Sequence, residues 1–201
     1  MLRSLREKIS RIFRYSEAEE YPRRYAVMNA FDGVMTVLGI VLGSQLLGGG
    51  HAPHIVGAGV GASLAMGVSG ASGTYMAEMA EQERKIKELE EAMLTNLDDS
   101  ILGRAHRQAA LISAMVDSLA ALLAGLAVVS PYAAAVAGIL TEAAAFYVSL
   151  LISFGMLFVL GVFLGRVSGR NLILSGFKAL AFGVATLLLL LLLNLLTPSA
   201  G

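Results

Sequence analysis

Three long stretches of the chain carry almost no charge, and this feature limits the folds open to it. Residues 33–77 contain no Lys, Arg, Asp or Glu, residues 108–165 contain only Asp117 and Glu142, and residues 179–201 contain none. A helix needs about 20 mostly apolar residues to cross the hydrocarbon core of a bilayer. The first two stretches are each long enough for two crossings and the third for one. We therefore expect an all-α, polytopic membrane protein with five transmembrane helices.

The composition excludes several other classes of protein. Charged residues make up 15% of the chain and hydrophobic residues 56%, whereas a soluble domain has about 25% charged residues. The 15 Lys and Arg residues balance 15 Asp and Glu residues, so a strongly basic nucleic-acid binder is excluded. The chain has no cysteine, which excludes disulfides and thiolate metal sites. We expect no nucleic-acid partner, and we expect no enzyme because no Ser-His-Asp set is apparent.

Glycine and proline mark the expected turns between spans. The glycine-rich segment 48–53 divides the first uncharged stretch, and Ser130-Pro131 divides the second. The five predicted spans are residues 25–47, 54–77, 108–129, 132–164 and 171–196.

The basic residues predict the orientation. Seven precede the first span, five lie between the second and third spans, and three lie around the connection between the fourth and fifth. The other two turns and the C-terminus have none. Cytoplasmic loops carry an excess of Lys and Arg, so we expect a cytosolic N-terminus and an external C-terminus.

Three segments lie outside the predicted spans. Residues 1–24 contain a short basic amphipathic helix, which we interpret as an anchor on the inner leaflet or as a gate or lipid sensor. Residues 78–107 form a cytosolic acidic helical segment, which continues the second span to about Leu97 and turns at Gly103. Residues 197–201 form a C-terminal tail.

Three acidic residues fall inside the predicted spans: Asp32, Asp117 and Glu142. An ionised side chain in mid-bilayer costs at least about 2.5–3.5 kcal/mol, and such groups commonly mark ion or proton paths. We place Asp32 in the inner part of the first span, Asp117 near the middle of the third and Glu142 in the outer half of the fourth. All three are candidates for a transport path. The alternative is that one or more of them is protonated and hydrogen-bonded to neighbouring serine or backbone groups.

The second span has small residues at every fourth position. Gly57, Gly61 and Gly73 belong to one such row, and a neighbouring row starts at Gly59. This spacing allows helices in lipid to approach closely, so we expect packing against other spans or a second copy of the chain. Met66 offers a thioether that soft metals bind, or it fills a gap in the packing.

Two glutamate pairs follow that span: Glu78 with Glu81, and Glu88 with Glu91. Residues three apart share a helix face, so each pair could bind one divalent cation through its oxygens. In the alternative interpretation, both pairs lie on a solvated face and are neutralised by neighbouring lysines.

Several motifs resemble those of a known family. Residues 29–43 contain the pattern Asp-Gly-x-x-Thr-x-x-Gly-x-x-x-Gly, which resembles the first-span signature of the vacuolar iron transporter family. Residues 73–77 resemble the end of that family's second span, and residues 164–170 resemble its fourth loop. The resemblance covers about residues 23–83 and 108–196.

The resemblance implies a homodimer of five-helix subunits in a lipid bilayer. It implies export of Fe²⁺, with Mn²⁺ as a further substrate, from the cytosol by proton antiport. The metal would be a substrate, and no permanently bound cofactor is expected. Asp32 matches the aspartate on the family's ion path, and Glu78 and Glu81 lie where its cytosolic metal-binding region begins. A prokaryotic protein of this kind would lie in the plasma membrane, and a eukaryotic one in a vacuole-type membrane.

The chain departs from the family pattern in the second span, which is roughly Met-x-x-Gly-Glu-Tyr. When Gly73 is aligned, Thr74 takes the glutamate position and Met66 lies one helical turn before the methionine position. An acid that precedes this pattern in the family is missing, and we hypothesise that Asp117 and Glu142 replace it. The polar segment is also shorter than the family's full metal-binding domain, as in a short prokaryotic-type member.

The ion path that we expect contains Asp32 and Met66 as metal ligands within the membrane. Two other functions remain open. One is export of a different divalent metal, Mn²⁺ or Co²⁺, and the other is a dimeric membrane protein that binds or senses metal without transporting it.

Overall fold

A computed structural model describes residues 21–46, 50–94 and 101–196, which are helical almost throughout. The five helices are Tyr21–Leu46 (α1), Ala52–Met93 (α2), Ile101–Val136 (α3), Glu142–Val167 (α4) and Leu172–Leu196 (α5). The predicted amphipathic helix and the C-terminal tail lie outside the described residues.

Each of these five helices is long and apolar enough to cross a membrane. The qualifying segments range from 22 residues in α1 to 42 residues in α2. For the described part of the chain, this confirms the all-α class and the five apolar helices predicted from the uncharged stretches.

The prediction that Ser130-Pro131 ends the third span is wrong. Helix α3 continues through Pro131 to Val136, and the turn follows it, where Gly138 has a φ of 75°. Proline has no N–H to donate to the carbonyl oxygen four residues earlier. Here the hydroxyl of Ser130 donates to that oxygen, on Ala127, at 2.8 Å. The serine therefore satisfies the group that the proline leaves open, and the helix continues.

Helix α2 is a single helix of 42 residues that extends well beyond the predicted second span. Its polar half is rich in Glu, Lys, Met and Ala, which favour helix. The helix ends at Met93, close to the predicted Leu97, and Leu94 then takes a φ of 53°. Gly103 already lies inside α3, so the turn expected at that glycine is wrong.

The chain divides into two compact units. Among the described residues, the small unit contains 21–26, 67–94 and 101–119, and the large unit contains 27–46, 50–66 and 120–196. Helices α1, α2 and α3 each contribute to both.

The large unit has an apolar core. Its largest fully buried side chains include Leu38, Leu42, Ile55, Tyr132 and Leu157, contributed by α1 to α4. The buried serine hydroxyls of this core, on Ser63, Ser149 and Ser153, each donate to a helix carbonyl, whereas the buried hydroxyl of Tyr132 has no hydrogen-bond partner among the described residues. The hydroxyl of Ser149, for example, donates to the backbone oxygen of Val128 at 2.9 Å.

Glycines set the distances between helices in the large unit. A Cβ atom at Gly33 would lie 2.5 Å from the backbone oxygen of Ala121, and one at Gly161 would lie 2.5 Å from the Cβ of Ala179. Helix α1 therefore meets α3, and α4 meets α5, at distances that only glycine permits.

Candidate functional site

In the small unit, a buried aspartate joins the second half of α2 to the first half of α3. Thr74 donates a hydrogen bond from Oγ1 to Oδ2 of Asp117 at 2.5 Å. Asp117 is 1% exposed and Thr74 is 8% exposed. Gly70 allows the carboxylate to approach, because a Cβ atom there would lie 3.1 Å from the same Oδ2.

Further polar side chains are buried on the helix faces of α2 and α3 that carry Thr74 and Asp117. Thr74, Glu78 and Gln82 follow one another at four-residue spacing on α2, which places them on one helix face, and Glu78 is 5% exposed. On α3, Ser113 lies one turn before Asp117, and its hydroxyl has no hydrogen-bond partner among the described residues. We call these five residues (Thr74, Glu78, Gln82, Ser113 and Asp117) the buried polar cluster.

The chemistry open to the buried polar cluster follows from its two carboxylates. A buried carboxylate is costly unless it is hydrogen-bonded and its charge is compensated, so Glu78 and Asp117 are suited to take up protons or a cation. Oxygen ligands suit hard divalent cations. The described residues include no group of three or more His, Cys, Asp and Glu side chains arranged to hold a metal. A cation here would therefore need hydroxyl, amide or water ligands as well.

The predicted pairing of Glu78 with Glu81 around one cation is not found in the structure of the single chain. Glu78 is buried, whereas Glu81 accepts hydrogen bonds from Arg84 at 3.0 and 3.2 Å and lies 3.7 Å from Nζ of Lys85. The hydrogen bond from Arg84, together with its charge, lowers the pKa of Glu81 below the usual 4.5. Glu81 is thus held by basic neighbours on a solvated face.

The second predicted pair lies on the solvated part of α2. Glu88 and Glu91 are both exposed, and Glu88 lies 3.6 Å from Arg84. The alternative interpretation, a charged helix face neutralised by its own basic residues, describes Glu81 and Glu88 better than a metal site does.

Asp32 lies on an exposed face of α1 in the large unit. Thr36, Gly39 and Gly43 follow it at helical spacing; Thr36 is exposed, and a Cβ atom at either glycine would meet nothing within 4 Å. Gly33, by contrast, points inward. Most of the first-span motif therefore faces away from the core of the large unit.

Asp32 also lines a cavity of about 440 Å³ between α1, α4 and α5, whose lining includes Arg170 and Lys178. Met66 is half-buried on α2 and is not part of that lining. The cavity does not bring the two predicted metal ligands of the membrane interior together.

The prediction places Glu142 within the outer half of the fourth span, whereas the structure makes it the first residue of α4. Its Oε1 accepts a hydrogen bond from the backbone N–H of Ala52, at the start of α2, at 3.0 Å. The side chain of Thr141 caps α4 itself. Unsatisfied N–H groups and the helix dipole favour a carboxylate at a helix N-terminus, which explains an acid in this apolar region.

The row of small residues on α2 that contains Gly57, Gly61 and Gly73 does not pack closely against another helix in the described part of the chain. A Cβ atom at any of these three glycines would meet nothing within 4 Å. The whole row is exposed: Gly57, Gly61, Ala65, Ser69, Gly73 and Ala77. The buried row is the neighbouring one that starts at Gly59, where a Cβ atom would lie 2.7 Å from the side chain of Val129.

Sequence reasoning identified two members of the buried polar cluster, Asp117 and Glu78, but not their surroundings. In the sequence, Thr74 stands out only as a departure from a family pattern, and Ser113 and Gly70 carry no charge that would mark them as partners of an acid. The signal was present, because Thr74 and Glu78 on one helix, and Ser113 and Asp117 on the other, repeat at the four-residue spacing of a single face.

Comparison with known proteins gives a relative that matches most of the chain. The uncharacterized protein MJ0645 of Methanocaldococcus jannaschii is 31% identical over 169 residues, which cover 83% of this chain and 85% of that protein. The chain belongs to the same family as MJ0645. No family model matches the chain, and no solved structure matches it. The match with MJ0645 extends over most of both proteins, so the relationship concerns the chain as a whole and not one motif.

Proposed function

We propose that the protein is a membrane exporter that moves a divalent transition metal, Fe²⁺ or a similar ion, out of the cytosol in exchange for protons. The buried polar cluster supports this proposal most strongly, because Glu78 on α2 and Asp117 on α3 are both buried carboxylic acids. An ionised carboxylate in the middle of a bilayer, where the sequence places Asp117, costs at least about 2.5–3.5 kcal/mol. A proton or a divalent cation lowers that cost, and the two can replace each other.

The membrane location rests on the five apolar helices and on the charge distribution. Each helix is long enough to cross a bilayer, and all 15 Lys and Arg residues fall in segments that one topology assigns to the same side. That topology has a cytosolic N-terminus and an external C-terminus. The plasma membrane of a prokaryote, or a vacuole-type membrane of a eukaryote, is the corresponding location.

The resemblance to the vacuolar iron transporter family supports the same function. Thr74 stands at the family's glutamate position, and its hydroxyl holds the carboxylate of Asp117 at 2.5 Å. An acid from α3 thus lies beside the position where the family has an acid on its second span. This agrees with the hypothesis that Asp117 replaces the missing acid. Glu142 is the first residue of α4, and its carboxylate is better explained as a cap on the N-terminus of α2.

Exchange follows from competition at the carboxylates. Metal ligands must be deprotonated, so protonation of Asp117 or Glu78 releases the metal, and metal binding releases protons. Protons that enter from the outside would then drive the metal out of the cytosol. Asp32, the remaining acid of the proposed path, takes part in the same competition.

A homodimer would cover the exposed small residues. The row on α2 through Gly57, Gly61 and Gly73 and the face of α1 through Asp32 and Gly39 contact no other part of the described chain closely. Small residues at four-residue spacing favour close helix pairing in lipid.

A manganese exporter is the second candidate. The side chains of Thr74, Glu78, Ser113 and Asp117 offer only oxygen atoms, and oxygen ligands suit Mn²⁺ better than they suit softer metals. The two candidates are distinguished by measuring the uptake of Fe²⁺ and Mn²⁺ when both are supplied together. The preferred substrate is the metal that is taken up faster.

Transport into proteoliposomes under an imposed pH gradient tests the proposal. We expect uptake of Fe²⁺ or Mn²⁺ that depends on the gradient and is lost in Glu78→Gln and Asp32→Asn. Glu83→Gln is the matched control, because Glu83 is exposed on the same helix as Glu78. A protein that binds metal in equilibrium dialysis but moves none would be a sensor, and the exporter proposal would be wrong.

A further inference from the structure

A cavity in the large unit combines basic, hydroxyl and apolar side chains. It lies between α1, the last turns of α4 and the first turns of α5, and its volume of about 440 Å³ is in the range of about 300–1,000 Å³ of small-molecule sites. Its polar lining consists of Asp32, Ser168, Arg170, Ser175 and Lys178. The rest of the lining is mostly apolar.

The polar and apolar residues of the cavity lie at different positions along α5 and the connection that precedes it. Ser168 and Arg170 belong to the connection between α4 and α5, and Lys178 lies on the second turn of α5. Phe182 lies one turn further on, and its ring meets that of Phe31 with the centroids 6.1 Å apart. The cavity therefore has a basic end beside the connection and an aromatic end further along the helices.

The basic side chains are available to an anion. Neither Arg170 nor Lys178 forms an ion pair with another described residue. Two of the first three N–H groups of α5 are already bound, because Oδ1 of Asn171 accepts hydrogen bonds from Ile173 and Leu174 at 3.1 and 3.2 Å. An anion at this end would be held by side chains and not by the helix terminus.

We propose that the cavity binds one anionic phospholipid, with its phosphate on Arg170 and Lys178 and its acyl chains against Phe31 and Phe182. Basic pockets between membrane helices on the cytoplasmic side bind anionic head groups, and a guanidinium group is a strong donor to phosphate oxygens. Free phosphate would leave the apolar lining uncovered, and a lipid would cover it. This inference rests on the membrane location proposed above but not on metal transport.

Asp32 gives the proposal a second consequence. Its carboxylate shares the cavity with the two basic side chains, so its negative charge repels the phosphate. Neutralising this charge in Asp32→Asn therefore increases retention of the anionic lipid. If Asp32 had only a structural role in the cavity, the substitution would not increase retention.

Native mass spectrometry of the full chain in detergent tests the proposal. The probes are phosphatidylglycerol, phosphatidylcholine with the same acyl chains, and inorganic phosphate. The double variant Arg170→Gln/Lys178→Gln should bind phosphatidylglycerol about 30-fold more weakly, as expected for the loss of two basic side chains near a charged membrane surface. Arg166→Gln is the matched control, because Arg166 is exposed at the end of α4 and outside the cavity lining. It should bind like the wild type.

Three outcomes would overturn the proposal. The first is that the double variant and the Arg166 control lose phosphatidylglycerol binding equally. The second is that the wild type retains phosphatidylcholine as well as it retains phosphatidylglycerol. The third is that inorganic phosphate displaces phosphatidylglycerol at a similar concentration. If the double variant does not fold, Lys178→Gln alone replaces it. Lys178 is exposed, and a loss of about fivefold is then expected from one basic residue. Lipid retention with no metal uptake would contradict only the proposed transport, and metal uptake with no lipid retention only this inference.

Discussion

The large and small units bury polar side chains in different ways. In the large unit, buried serine hydroxyls donate to helix carbonyls, and the acids Asp32 and Glu142 are exposed. In the small unit, the acids Asp117 and Glu78 are themselves buried. A hydroxyl that donates to the backbone needs nothing from outside the chain, whereas a buried acid needs a proton or a cation. This difference is the reason for proposing that protons and metal exchange at Glu78 and Asp117 in the small unit.

The substitution Asp117→Asn should have the largest effect on metal uptake. The substitution keeps the size of the side chain but removes its charge, and we expect metal uptake to fall by about 100-fold, since about 2.5–3.5 kcal/mol is at stake for one buried charge. The measurement is the initial rate of uptake into proteoliposomes. Glu142→Gln in the large unit is the control and should transport at nearly the wild-type rate. Equal losses in the two variants would remove the distinction between the units.

The next effect concerns close packing in the large unit. Gly33→Ala puts a Cβ atom against the backbone oxygen of Ala121, and overpacking of this kind costs about 1–3 kcal/mol. Gly39 is the matched position on the same helix, because a Cβ atom there meets nothing within 4 Å. Gly39→Ala should leave the single chain at least as stable as the wild type. Thermal unfolding in detergent checks both, and equal melting temperatures would contradict the packing described for Gly33.

A smaller effect on stability is expected when either of two buried hydroxyl groups is removed, one from each unit. Ser149→Ala and Thr74→Val each remove one buried hydrogen bond, which contributes about 1 kcal/mol. We expect similar losses of stability in the two variants. Only Thr74→Val should also slow metal uptake, because only this hydroxyl contacts a proposed metal-binding carboxylate. If Ser149→Ala slowed uptake as much, the serines of the large unit would have more than a packing role.

The smallest effect is expected on the solvated face of α2. Arg84 holds the pKa of Glu81 below 4.5, so the pair stabilises the fold above that value. Its contribution is lost as the pH falls through the lowered pKa. Melting temperatures of the wild type and Glu81→Gln should differ slightly at pH 7 and converge at lower pH. Metal uptake at pH 7 should be unchanged, and a large loss of uptake would restore Glu81 as a metal ligand.

The number of helices could be predicted because it depends on local composition. Uncharged stretches of sufficient length require apolar helices whatever their neighbours are. The end of α3 could not be predicted in the same way. Proline at position 131 signals a break, and the outcome depended on whether the hydroxyl of Ser130 reached the carbonyl of Ala127.

The site was predictable only in part, because its contacts join residues far apart in the chain. Asp117 stood out as an acid in an apolar segment, but its contact with Thr74 depends on how α2 lies against α3. The two rows of small residues on α2 show the same limit. The rows of Gly57 and Gly59 have the same spacing, and only the positions of α1 and α3 decide which one is buried.

The contact of Gly33 with α3 restricts how the sequence around Asp32 can evolve. Asp32 faces outward and Gly33 faces inward, so the dipeptide holds a carboxylate on one side and a backbone-to-backbone approach on the other. Any larger residue at position 33 would push α1 away from Ala121 and move Asp32 with it. Evolution can therefore keep Asp32 in this position only if it also keeps Gly33, and we expect the two residues to be retained or lost together.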